Sequence, residues 1–398
     1  MDQVFKRTWA EIDVDALEGN YRAIRSFVNN KSKIMCVVKA DAYGHGAEFL
    51  AAEYQKWGAD WLAVSNLEEA VQIRKDGTLL PILVLGYTPT NMVKKLCKYT
   101  ITQTVMSMDY AVELSRYACK CGTEINVHVK LDTGMNRIGM VYQGFDGEEK
   151  VIEDIEKICN LKGLRVEGIF THFAAADEGI NGNVYTKWQF ENFNRAINIL
   201  RKRGIEFPIK HCSNSGGILA HREMNMDMVR AGIILYGLLP SKNCDKVIKL
   251  RHAMQLKTVI SQVKEVKPFV PVSYGRTFYT DKITKIATVP IGYADGYPRR
   301  LSGRAQMIVC GKRVPIIGMI CMDQIMLDIS DVPCAKPKSI VTVFGRDGNE
   351  KITLDELANL NQTINYELAC IIGKRVPRVF FRGKKRVGQL NYICPQRI

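Results

Sequence analysis

Lys39 follows the apolar run Ile34-Met35-Cys36-Val37-Val38, and Tyr43, Gly44, His45 and Gly46 come within seven residues of it. An ammonium at the end of an apolar strand is partly desolvated, which lowers its pKa and frees an amine able to form a Schiff base. The simpler reading is a structural lysine that reaches out to solvent. Glycines at 44 and 46 favour the first reading, because they let the chain turn tightly and bring Tyr43 back toward the lysine. Farther on, Ser213-Asn214-Ser215-Gly216-Gly217 and Arg230-Ala231-Gly232-Ile233 gather small residues whose backbone N–H groups can cradle a phosphate.

The first 240 residues alternate short apolar, β-branched runs with stretches of helical period, the pattern of βα units on a parallel sheet. The runs 34–40, 61–65, 81–86, 101–107, 125–132, 166–173, 209–213 and 226–230 predict eight strands, and 47–57, 67–75, 110–120 and 185–203 predict helices between them. Eight such units close into a (β/α)8 barrel. A doubly wound open sheet is the alternative, but its usual G-x-G-x-x-G opening is absent. Beyond Leu250 the texture turns to β-rich alternation over 255–266, 283–291, 307–317, 325–329 and 339–344, with one helical stretch at 354–360. The expected fold class is α/β: an N-terminal (β/α)8 barrel over residues 1–245 and a C-terminal mainly-β domain over 246–398.

Active residues of such barrels gather at the C-terminal ends of the strands. Those ends carry Lys39, Lys130 with Asp132, Thr171 with His172, Ser213-Asn214-Ser215, and Arg230. A Schiff-base lysine facing a phosphate cup suits one cofactor in particular, pyridoxal 5′-phosphate, with Arg230 falling near its pyridine nitrogen. His172, beside an arginine in a polar mouth, is a functional candidate or a histidine that caps the core.

Composition sets limits on the rest. With 398 residues, 46% of them hydrophobic, the chain can bury two cores. The net charge of +15 raises the question of nucleic acid. Its one dense run, 374–386, reads as an alternating strand with a solvated face, an anion patch being the alternative, and no nucleic-acid motif accompanies it. Twelve cysteines without a C-x-x-C read as reduced thiols, and six histidines without H-E-x-x-H spacing argue against a metal. The first seven residues lack the apolar stretch of a leader and no run is long enough to span a bilayer, so a cytoplasmic location without membrane contact is expected.

Taken together, the motifs resemble the bacterial alanine racemases, pyridoxal-phosphate enzymes of fold type III, over nearly the whole chain. The stretches that carry the likeness are Val38-Lys39-Ala-Asp-Ala-Tyr43-Gly-His-Gly, Lys130-Leu-Asp-Thr-Gly-Met-Asn-Arg137, His211-Cys-Ser-Asn214-Ser215, Met228-Val-Arg230-Ala-Gly232-Ile233, Ser273-Tyr274-Gly-Arg, Ile291-Gly-Tyr293-Ala-Asp, Cys321-Met322-Asp323 and Ile364-Asn-Tyr366-Glu. The resemblance implies a two-base interconversion of L- and D-alanine that supplies D-alanine for peptidoglycan. Lys39 would hold the cofactor and act as one base, and Tyr274 of the partner subunit would act as the other. Tyr43, Asn214, Ser215, Gly232, Ile233 and Tyr366 would bind the cofactor, largely at its phosphate. Arg230 would bond the pyridine nitrogen, and His172 would support Arg230 or approach Tyr274. Arg137, Met322 and Asp323 would orient the substrate carboxylate, and Tyr293 would line its path in. Lys130 resembles a family lysine that is often carbamylated and braces Arg137. The implied active unit is a homodimer with shared sites, its β-rich domain completing the partner's site. A serine or broad-specificity racemase, a barrel decarboxylase, a non-catalytic cofactor carrier and a basic nucleic-acid binder are the competing readings.

Overall fold

All eight apolar runs of the first 240 residues form strands: Lys33–Val37, Trp61–Val64, Ile82–Val84, Ile101–Val105, Ile125–Asp132, Leu164–Phe170, Ile209–His211 and Met228–Ala231. The chain is described by a computed structural model over residues 7–245 and 247–394, in two compact units. Residues 1–6, most of the segment read for a leader, and Lys246, the first residue of the expected second domain, lie outside the described residues.

The first unit comprises residues 16–42 and 47–251. Its strands are all parallel and lie in chain order, with the eighth paired to the first through Arg230 opposite Met35. Between the seventh and eighth strands, Asp227 N–H donates to the Lys210 carbonyl at 3.1 Å and Arg230 N–H to the Ser213 carbonyl at 3.0 Å, nearly closing the barrel. Intervening helices begin where polar side chains satisfy their free amides. Asn66 accepts from Glu69 N–H ahead of Leu67–Lys75, and Ser107 accepts from Tyr110 N–H ahead of Met108–Lys120.

The second unit comprises residues 7–15, 43–46 and 252–394. Its main sheet has eleven strands, and Thr8–Asp13 is one of them, antiparallel to Met254–Val259 and parallel to Arg378–Arg382. This corrects the expected boundary, which gave every residue up to 245 to the barrel. Trp9, Ala10 and Ile12 are buried in this sheet, and a pairing across some 245 residues leaves no local trace in the sequence.

Two further expectations need correction. The basic run 374–386 is not one solvated strand: Arg378–Arg382 turns at Gly383 into Lys385–Leu390, and Arg378 is buried. A second short helix, Asn365–Cys370, follows the expected one at Leu354–Asn361. Six residues are too few to show a helical period. All twelve cysteines are unbridged, and no helix of the described residues is long and apolar enough to cross a membrane.

Candidate active site

The first barrel strand stops at Val37 rather than running to Ala40. Ala40, Asp41, Ala42 and Tyr43 take φ values of 51°, 56°, 53° and 53°, four successive L-residues in the left-handed region. Such a turn costs about 1–2 kcal/mol per residue and persists only where its surroundings hold it. Here Ala42 N–H donates to the Val38 carbonyl at 2.8 Å. Ala40 N–H donates to Glu69 Oε1 at 2.7 Å, and Ala47 N–H to Asp41 Oδ1 at 2.8 Å. Half-buried Lys39 stands at the head of this turn.

On the fifth strand His128, Lys130 and Asp132 alternate and so share one face. Asp132 folds the loop that follows it. Its Oδ1 accepts from the amides of Gly134, Met135 and Asn136 at 2.9–3.0 Å, and its Oδ2 from that of Arg137 at 3.0 Å. Arg137 is thereby fixed by its own backbone. Lys130 is buried with its Nζ 5.3 Å from the centre of the Phe170 ring. Burial, and then the charges of Arg230 and Arg137, lower its pKa to about 7 against the opposing pull of Asp132.

Arg230, on the eighth strand, is buried, and among the described residues it bonds only neutral acceptors. Its Nη1 donates to His211 Nδ1 at 2.9 Å, and its Nη2 reaches His172 Nδ1 at 3.0 Å and the carbonyls of Thr171 and Cys212 at 2.9 Å. Behind it, His211 Nε2 lies 2.9 Å from His128 Nδ1, and the His211 ring stacks on Phe170. Burial, and then the Arg230 charge, hold His172 and His211 well below the usual histidine range and bring His128 to about 3. Lys130, Arg137 and Lys39 add to the depression at His172, so four cations converge on one imidazole.

Next to Arg230, Ser215 opens the helix Ser215–Ala220, and Asn214 caps it by accepting from Gly217 N–H at 2.9 Å. Gly232 N–H donates to Ser215 Oγ at 3.1 Å. The buried amides of Ser215, Gly216, Ile233 and Ile234 donate to no acceptor among the described residues. Buried amides are rarely left unmade, so a cradle of four calls for an anion.

The remaining expected residues belong to the second unit. Tyr43 and Tyr366 come together with ring centres 6.0 Å apart. Gly44 packs so tightly on the helix Asn365–Cys370 that a Cβ would stand 2.1 Å from the Ala369 carbonyl oxygen, and Arg378 Nε donates to the Gly44 carbonyl at 2.9 Å. Burial raises the pKa of the Tyr43 hydroxyl. Tyr274 begins a single exposed turn, Tyr274–Arg276, beside a cleft that Ser273, Cys321 and Met326 also line. Ser273 Oγ donates to the Met319 carbonyl at 2.6 Å. Met322 and Asp323 follow Cys321, and their amides donate to no acceptor among the described residues. Tyr293 N–H donates to the Cys321 carbonyl at 3.2 Å, so Tyr293 and the Met322–Asp323 turn are held as one piece.

This arrangement has counterparts elsewhere. Family models described as the alanine racemase N-terminal domain and the alanine racemase C-terminal domain match residues 12–240 and 253–380. The chain belongs to the alanine racemase family. It is 45% identical over 373 residues to an alanine racemase of Methanococcus maripaludis, covering 94% of this chain and 98% of that one. It is 43% identical over 394 residues to one from Clostridium perfringens, covering 99% and 100%. Among solved structures, the alanine racemase of Clostridium difficile 630 matches with a TM-score of 0.92 at 39% identity over 98% of this chain and 100% of that one. The Bacillus anthracis alanine racemase with bound L-Ala-P matches with a TM-score of 0.92 at 36% identity over 98% and 99%. The expected fold class and enzyme class stand: an alanine racemase barrel with a mainly-β domain, and an isomerase that racemises alanine. The serine and broad-specificity alternatives are not favoured.

Sequence reasoning missed several residues of this site. His128 and His211 were given no role, although polar residues recurring at every second position of an otherwise apolar strand mark one face of a barrel interior. Asp132 carries the Arg137 loop, a role that Asp followed by Thr-Gly could have suggested through the turn-forming habit of that side chain.

Proposed function

We propose that the protein interconverts L- and D-alanine by two-base proton transfer with pyridoxal 5′-phosphate bound, in a cytoplasmic homodimer whose sites are shared between subunits. In this reading the barrel binds the cofactor, and the β-rich domain completes the partner's site. The carrying observation is that four buried amides with no acceptor among the described residues stand beside a buried guanidinium with no carboxylate partner among them, at the ends of the seventh and eighth strands. The amides fit a phosphate. The guanidinium fits a ring nitrogen that is to be hydrogen-bonded but not protonated, because arginine keeps its proton at pH 7.

When bound, pyridoxal phosphate supplies the electron sink that lets an α-proton leave. Lys39 Nζ holds it covalently and moves the proton at one face of the substrate, while Tyr274 Oη moves it at the other. Ser215, Gly232, Ile233, Asn214, Tyr43 and Tyr366 bind the phosphate end, and His172 holds Arg230 in place. Arg137 and the amides of Met322 and Asp323 receive the substrate carboxylate. Lys130, whose lowered pKa leaves much of its amine neutral near pH 7, is the nucleophile for carbamylation and braces Arg137. D-Alanine made in this way feeds peptidoglycan.

The test is a panel of amino acids assayed by chiral separation with and without added pyridoxal phosphate. Alanine racemised only with the cofactor present is expected. Racemisation by cofactor-stripped protein would overturn the reading.

A further inference from the structure

We infer that Arg375 is a positioning residue for the substrate carboxylate, acting through Asp323; this rests on the reading above in which the Met322–Asp323 turn receives that carboxylate. Arg375 lies in the basic run of the sequence but ahead of its first strand, and its charge is not spent on solvent. Its Nη2 donates to Asp323 Oδ1 at 2.7 Å, and its Nε lies 3.5 Å from Asp295 Oδ1. Asp295 is completely buried. Both of its oxygens bond Arg7, and Oδ2 also accepts from Gly292 N–H at 3.1 Å.

Arg375 therefore joins two carboxylates of opposite character, one buried and already compensated, one half-exposed beside free amides. The segments that carry them are woven together by backbone. Ala294 N–H donates to the Met322 carbonyl at 3.1 Å, and Gly373 N–H to the Asp295 carbonyl at 2.9 Å. A Cβ at Gly292 would stand 2.3 Å from the carbonyl oxygens of Cys321 and Met322, so no other residue fits there. Backbone thus sets where the turn lies. Among the described residues only Arg375 pairs with the Asp323 carboxylate, and its bonding to Asp323 raises its own pKa, which keeps it cationic.

A carboxylate flanking amides that must receive another carboxylate is a liability. Unpaired, Asp323 would repel the incoming anion through space, an effect that reaches farther than a hydrogen bond. Paired, it is neutralised and held toward Arg375. The pair is half-exposed and contributes little to stability, and Asp295 keeps Arg7 when Arg375 is removed. The role is thus separable from folding.

The experiment compares Arg375→Met, Arg375→Met/Asp323→Asn and Met322→Pro with the parent holoenzyme, reading KM and kcat for L-alanine together with the thermal midpoint. In Arg375→Met, KM should rise about tenfold while kcat stays within about twofold, with little change in thermal midpoint. In the double variant, removing the exposed charge should bring KM back to within about threefold of the parent. A double variant no better than Arg375→Met would show that Arg375 merely braces the turn, and would overturn the proposal. Met322→Pro removes the amide itself. An unchanged KM there would overturn the reading of the turn as the carboxylate's receptor and the Arg375 role with it. A raised KM there, with a normal KM in Arg375→Met, would overturn the Arg375 role alone.

Discussion

Arg230 Nη1 and His211 Nδ1 lie 2.9 Å apart, and that contact determines where the protons sit on two imidazoles. A guanidinium only donates, so His211 Nδ1 must carry a lone pair and its Nε2 the proton. That proton points at His128 Nδ1, 2.9 Å away, leaving the His128 proton on Nε2, 3.8 Å from Glu167 Oε1. The second guanidinium nitrogen is shared among His172 Nδ1 and the carbonyls of Thr171 and Cys212. All three rings are neutral, in line with their lowered pKa values.

This network makes the fold sensitive to acid. The folded-state pKa of each of these histidines is depressed, to about 3 for His128 and well below the usual value for the other two. Between roughly pH 6.5 and those values the unfolded chain binds protons that the folded chain refuses, so the contribution of these histidines to stability is full above about pH 6.5 and falls as pH drops. Three such sites give a limiting slope of about 4 kcal/mol per pH unit. Urea midpoints at pH 7.5 and 5.5 check this, and His128→Asn should shrink the difference by about a third. Equal midpoints at the two pH values would contradict the neutral network.

Lys130 offers a chemical test. Its pKa of about 7 comes chiefly from burial, with the Arg230 and Arg137 charges adding to it. The neutral amine it leaves should add carbon dioxide. Incubation with ¹³C-bicarbonate should give a carbamate resonance that Lys130→Ala lacks, and KM for alanine in that variant should rise as Arg137 loses its brace. A spectrum without that resonance would leave Lys130 as a structural cation.

If the guanidinium bonds the ring nitrogen as proposed, Arg230→Glu should lower racemisation by about two orders of magnitude or more. The carboxylate would allow that nitrogen to be protonated, so transamination products should increase relative to racemised alanine. Product ratios like those of the parent would contradict the role given to the guanidinium.

Much of this was legible in the sequence, for physical reasons that also explain the gaps. The barrel strands follow from apolar runs of the right length, and Lys39, Arg230 and Ser215 follow from polar or small residues placed where such runs end. The left-handed turn at 40–43 was not legible, because Ala-Asp-Ala-Tyr has no glycine to announce it and the turn depends on Glu69, 29 residues from Ala40. Thr8–Asp13 was lost to the barrel for a similar reason, since its partners lie at the far end of the chain. Arg375 was read with its basic neighbours as solvated. Charge runs resemble one another in sequence, and only tertiary contacts distinguish an exposed lysine from an arginine joining two carboxylates.

Lys39→Ala should abolish racemisation and the covalent cofactor that borohydride fixes to the protein. Peptide mapping of the reduced native protein should find the label on Lys39. A label on any other lysine would contradict the assignment.

The central claim is that racemisation uses two bases, Lys39 and Tyr274, drawn from different subunits, and subunit complementation tests it most directly. Lys39→Ala and Tyr274→Phe, each inactive alone, are mixed under conditions that let subunits exchange, and exchange is confirmed with differently tagged chains. With shared sites, each mixed dimer holds one intact site and one doubly broken site, so random reassortment should restore about a quarter of the parent activity. Confirmed exchange with no recovered activity would contradict the account, because it would place both bases in every site on a single chain.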